Sequence, residues 1–105
     1  MEQLYTSAYW VRGISFRGVA EGTVSIGDVI THTPEPANIY DPNAIKLMVG
    51  DTHIGYMPKE LCKPYSESAI NNRGYISQIK HENGVVTGIE VTVITSKYLP
   101  RQAKV

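Results

Sequence analysis

Apolar and polar positions alternate most regularly between Asn43 and Val49. Ile45, Leu47 and Val49 fall on one face of an extended chain and Ala44, Lys46 and Met48 on the other, as a half-buried strand requires. Gly50-Asp51 reads as a two-residue hairpin turn with glycine first, and Thr52–Met57 as the returning strand. Upstream, Tyr9–Arg17 is rich in aromatic and branched residues and predicts a first strand that Gly13 weakens or bends. Its two faces, Trp10, Ile14 and Phe16 against Val11, Gly13 and Ser15, compete for the core. Residues 1–7 show no periodicity and predict an end that frays or pairs late. Gly18–Gly27 reads as a loop that admits a short strand at Thr23–Ile26. Asp28–Thr33 predicts a second strand with Val29 and Ile30 facing opposite ways, stopped by Pro34-Glu35-Pro36, whose prolines cannot donate to a ladder.

Beyond the central hairpin the period changes. Leu61, Tyr65 and Ala69 recur every fourth residue, so Pro58–Asn72 reads as helical, with Pro58 suited to a first helical position. Pro64 inside that stretch predicts two short pieces, because proline costs about 3 kcal/mol within a continuous helix. Asn72-Arg73-Gly74 reads as a helix stop with Gly74 as the cap. Tyr75–Glu82 and Val85–Thr95 are strands joined by Asn83-Gly84, with Ile89, Val91 and Val93 inward and a bulge at Gly88. Ser96–Val105 is a polar, basic tail. Short strands with turns between them predict a mainly β fold, a closed or nearly closed barrel.

Composition narrows the setting. A chain of 105 residues predicts one domain over 1–105, with residues 1–7 and 96–105 as terminal extensions. No apolar run reaches the roughly 18 residues of a membrane span, and Met1-Glu2-Gln3-Leu4 lacks a signal-peptide layout. A single cysteine, Cys62, cannot form an internal disulfide. These features predict a cytoplasmic protein, or a nuclear one if the source has a nucleus. Net charge is zero, which argues against extended coating of nucleic acid. The charge is unevenly spread: residues 1–57 carry three basic against six acidic side chains, residues 58–105 seven against four. The basic half could face a short stretch of phosphate backbone.

Tyr40-Asp41-Pro42-Asn43-Ala44-Ile45, then Ile54-Gly55-Tyr56, then Pro58-Lys59-Glu60-Leu61 carry a resemblance. In order and spacing they resemble the HIRAN domain, a small module found in front of some DNA-translocating ATPases and also on its own. Gly13-Ile14-Ser15-Phe16 is similar to the family's first strand, so the resemblance spans roughly residues 11–95. It implies a small six-stranded, OB-like barrel with one or two short helices that grips the 3′ end of single-stranded DNA. It also implies roles. Asp41 would accept a hydrogen bond from the terminal 3′-hydroxyl, since an ionised carboxylate only accepts. Tyr40 and Phe16 would stack on bases, at about 1–3 kcal/mol per base. Lys59 would contact phosphate beside the amides of a helix start. Against these stand plainer roles: Asp41 closing its own turn, and Tyr40 and Phe16 packing in a core.

The chain departs from the family's pattern twice. Ser15 stands where a basic residue accompanies the first-strand aromatic, with Arg17 close by, and Tyr56 stands where histidine follows Ile-Gly. Tyr56 can still donate a hydrogen bond or stack. Enzyme chemistry finds little support. His32, His53 and His81 are dispersed, no metal-ligand spacing or glycine-rich phosphate loop is present, and Cys62 on a helix reads as core. The expectation is a non-enzymatic module without a cofactor that binds 3′ ends of single-stranded DNA and serves a helicase or nuclease in trans. The alternative is a protein–protein interaction module on the same barrel, using an edge strand or the basic tail.

Overall fold

A computed structural model describes residues 2–14, 17–68 and 71–98. Six antiparallel strands form one sheet: β1 (Glu2–Trp10), β2 (Val29–Pro34), β3 (Ile45–Val49), β4 (Thr52–Tyr56), β5 (Asn71–Glu82) and β6 (Val85–Tyr98). One helix, α1 (Lys59–Ser68), lies between β4 and β5. The strand order β1-β6-β5-β2-β3-β4 curls into a half-barrel. Its inner face carries the core: Ile45 and Leu47 from β3, Ile54 from β4, Ile76 from β5, and Ile89, Val91 and Val93 from β6. Full burial of such a side chain contributes about 1.5–3 kcal/mol, which makes this inner row the main stabilising element. No helix among the described residues is long and apolar enough to cross a membrane.

Both hairpin turns form where turn chemistry places them. Asn83 and Gly84 both take positive φ, 50° and 78°, as a type I′ turn demands. Gly50 takes φ 56° at the β3–β4 turn. Val29 faces out and Ile30 in, and β2 ends at Pro34, as its proline requires.

Several expectations give way. Of the two outcomes left open for the first residues, fraying gives way to pairing: β1 pairs with β6 along its whole length, from Glu2 opposite Tyr98 to Trp10 opposite Glu90. Leu4 to Ala8 are all exposed, so no buried face imprints a period on the sequence. The strand read at Tyr9–Arg17 stops at Trp10. Val11 and Ile14 are both buried, because the chain leaves the sheet there and bends at Gly13. Thr23–Ile26 forms turns and bends instead of a strand.

The helix runs unbroken through Pro64 instead of forming two pieces. The bond lost is the one to the carbonyl of Glu60, an exposed residue at the start of the helix. Asn72-Arg73-Gly74 lies inside β5 and is no helix stop. Gly74 pairs with Ile30 and Val93, and a Cβ there would sit 2.7 Å from His32 Cε1. Glycine is needed for the close packing of His32, not for a cap. Gly88 pairs with Lys80, and the extra residue of the bulge is its neighbour Thr87, since His81 pairs next with Val86.

The half-barrel closes at one end. Past β1, the Arg12 amide donates to the Tyr56 carbonyl at 2.8 Å and the Tyr56 amide donates to the Arg12 carbonyl at 2.9 Å. This bridge joins the two outermost strands of the order. Gly55 makes it sterically feasible: a Cβ at Gly55 would lie 2.5 Å from the Arg12 oxygen and from Val11 Cγ1. The β4 chain also carries an extra residue at this point, Ile54, because Leu47 pairs with Gly55 and Met48 with His53.

Candidate functional site

The closing bridge, the loop after β2 and the start of α1 converge on a cleft of about 550 Å³. Tyr40, Asp41, Tyr56 and Lys59 all line it, so four of the seven residues expected at a site share one surface. Arg17 is exposed and does not line the cleft, though its charge acts on His53 and Tyr56 nearby. Ser15 and Phe16 lie outside the described residues. Arg12 and Asn38 also line the cleft and were not singled out by sequence. Arg12 is brought there by the bridge to Tyr56, a contact between residues 44 positions apart that local pattern does not reveal.

The loop from Glu35 to Ala44 is held by its own hydrogen bonds. The Glu35 amide donates to the Ala44 carbonyl at 2.9 Å and closes its base. Pro36 follows Glu35 in a turn in which the Asn38 amide donates to the Glu35 carbonyl at 3.0 Å. Asn38 Oδ1 accepts from the amides of Tyr40 at 2.9 Å and Asp41 at 3.1 Å. Asp41 Oδ1 accepts from the Asn43 amide at 2.9 Å, and the Ala44 amide donates to the Asp41 carbonyl at 3.0 Å. Asp41 therefore does close its own turn. That bond takes one oxygen; among the described residues Oδ2 accepts no hydrogen bond, and a carboxylate offers about four acceptor sites. The turn bond fixes the carboxylate and leaves the second oxygen available.

Tyr40 is 90% exposed, which rules out core packing for it. Ile39 beside it is 85% exposed. Lys59 is exposed at the first residue of α1, where helix amides also point outward. Tyr56 differs from expectation in detail. Its hydroxyl donates to Glu35 Oε1 at 3.0 Å, so it is already engaged within the protein. Burial and this bond to Glu35 raise its pKa. His53 packs edge-on against the Tyr56 ring at 5.0 Å and bonds to the Gly55 carbonyl at 3.0 Å. Burial and the charge of Arg17 hold His53 below its ordinary range.

Burial by itself would raise the Glu35 carboxyl, but hydrogen bonds from Asn38 and Tyr56 and the charge of Lys46 hold it below its ordinary range. Lys46 Nζ lies 3.9 Å from Glu35 Oε2. At the back of the cleft Cys62 is buried, with Sγ 3.5 Å from the Pro58 carbonyl. Burial pushes its thiol up, opposite to what a nucleophile needs. Among the described residues no three His, Cys, Asp or Glu side chains group as metal ligands would. The cleft thus offers an exposed aromatic ring, a turn-held carboxylate with one open oxygen, and cations from Arg12 and Lys59.

A family model described as the HIRAN domain matches residues 4–96. The crystal structure of the HIRAN domain of human HLTF is similar, with a TM-score of 0.65 at 20% identity, covering 90% of this chain and 79% of that one. A crystal structure of a protein from Lactobacillus plantarum is similar with a TM-score of 0.67 at 16% identity, covering 93% of this chain and all of that one. No curated protein sequence matches the chain significantly. At such identities the two structures speak for the fold alone.

Proposed function

The chain belongs to the HIRAN domain family, a family of nucleic-acid-binding modules, and from that premise we propose that its cleft holds the 3′ end of single-stranded DNA. Asp41 Oδ2 accepts the terminal hydroxyl, Tyr40 stacks on a base, and Arg12 and Lys59 meet the adjacent phosphates. By the family's pattern Phe16 also stacks on a base, and Ser15 and Arg17 contact the strand. The module works without chemistry of its own and brings an end to a helicase or nuclease acting in trans.

The observation that carries this reading is the half-occupied carboxylate of Asp41 beside an exposed tyrosine and two cations. An ionised carboxylate accepts a hydroxyl proton and repels a terminal phosphate. A hydrogen bond to a charged acceptor is worth about 1.5–3 kcal/mol. That corresponds to roughly 10- to 150-fold in affinity. Hydroxyl-ended oligonucleotide should therefore bind the wild type more tightly than phosphate-ended oligonucleotide by a factor in that range. Asp41→Asn keeps the acceptor that Asn43 uses and removes the charge, so the preference should collapse while the turn persists. Anisotropy titrations of both proteins against both ends test it. Equal affinity of the wild type for the two ends would leave Asp41 a turn residue only.

A further inference from the structure

Tyr40 and Asp41 sit on a segment that burial does not hold. Ile39 and Tyr40 are almost fully exposed, so hydrogen bonds must fix their pose. Asn38 supplies them: one oxygen accepts both the Tyr40 and Asp41 amides, while its Nδ2 donates to Glu35 Oε1 at 3.1 Å. A side-chain amide accepts at its oxygen and donates from its nitrogen at once, which an ionised carboxylate of the same shape cannot do. Glu35 is gripped in turn by Tyr56 through its hydroxyl and by Lys46 through its ammonium. Lys46 and Tyr56 are direct partners across the β3–β4 ladder. The order of contact is therefore sheet, Glu35, Asn38, then the backbone of the two cleft residues.

We infer that Tyr56, Glu35 and Asn38 form a positioning relay that transmits the geometry of the β3–β4 ladder to Tyr40 and Asp41, and that the end-group selectivity of the cleft depends on it. The inference rests on the reading of Asp41 given above. It assigns Tyr56 a role different from phosphate contact: its hydroxyl holds the loop, and its ring lines the cleft. Asn38→Asp separates this relay from a merely local turn. Aspartate keeps an oxygen for the two amides but loses the donor to Glu35 and sets two carboxylates face to face. Tyr56→Phe removes one hydroxyl from the far end of the relay and leaves the ring in place.

Two measurements on the full chain decide it. Exchange rates of the Tyr40 and Asp41 amides, followed by NMR without DNA, should rise in Tyr56→Phe as well as in Asn38→Asp. Wild-type rates at both amides in Tyr56→Phe would overturn the relay, whatever the protein binds. Titrations with hydroxyl- and phosphate-ended oligonucleotides should show the ratio of affinities narrowed by roughly 2- to 10-fold in each variant, the loss of one hydrogen bond. In an Asp41→Asn background neither substitution should change the ratio further, because the effect runs through Asp41. Full additivity with Asp41→Asn would overturn the dependence of selectivity on the relay. A wild type that binds both ends equally would instead overturn the reading of Asp41, and the exchange rates would still judge the relay.

Discussion

His32 ties three elements together. Its Nε2 shares a 2.8 Å hydrogen bond with the Tyr9 hydroxyl of β1, its ring stacks on Tyr65 of α1 at 4.7 Å, and its own backbone belongs to β2. Burial lowers its pKa to about 4 from an ordinary 6.5. Between those values the unfolded chain carries a proton on this ring that the folded chain refuses. Stability is therefore at its full value above pH 6.5, falls as pH drops towards about 4, and falls no further on this account below it. Because the ring is partly exposed, the loss is on the order of 2 kcal/mol, less than the full shift would give. Denaturant melts of the wild type and His32→Gln at pH 7 and pH 4.5 check this: the wild type should lose stability that the variant does not, and parallel losses would remove His32 as the cause. Sequence could place His32 on a strand but could not show this. Its environment is made by Tyr9 and Tyr65, which lie 23 residues before and 33 after it, and by the bare backbone of Gly74 beneath it.

Among the elements, those written in local chemistry were legible and those written in tertiary contacts were not. The β3–β4 and β5–β6 hairpins follow from Gly50-Asp51 and Asn83-Gly84, because positive φ is a property of the turn itself. The inward row Ile89, Val91 and Val93 follows from alternation. β1 has exposed side chains over Leu4–Ala8 and is held by its pairing with β6, so its sequence carries no period to read. The Tyr40-Asp41 turn and the helix start at Lys59 were readable for the same local reason, whereas Asn38 takes its place through side-chain bonds to Glu35 and to the Tyr40 and Asp41 amides, and Arg12 only when the sheet edges meet. That meeting depends on Gly55. Its φ of 148° and the 2.5 Å approach of the Arg12 oxygen and Val11 Cγ1 leave no room for a Cβ. Gly55→Ala should cost on the order of 2–3 kcal/mol. For a domain of this size that lowers Tm by roughly 10–20 °C. Gly50→Ala, with open space around it, should cost about 1 kcal/mol and serves as the control. Equal shifts for the two in thermal unfolding would show that the bridge is not sensitive to this contact.

At the scale of the whole molecule, zero net charge leaves the proposed DNA binding to depend on the few cations of the cleft, and so to respond weakly to salt. The cleft gathers Arg12 from the acidic half of the chain and Lys59 from the basic half, alongside Asp41 and Glu60, so it is a small mixed site and not a basic stripe. Two or three phosphate contacts give a slope of log K against log salt of about −1.5 to −2. Titrations at several ionic strengths measure it, and a slope near −6 would mean extended backbone tracking and a different surface. Glu2 of β1 lies opposite Tyr98 of β6. The chain enters and leaves the sheet side by side, and β1 then runs nine residues, roughly 30 Å, before Arg12 reaches the cleft. A unit built in this way is portable. It can sit at either end of a larger polypeptide, or interrupt one, without pushing the flanking chain apart, and whatever it is joined to stands well clear of the cleft.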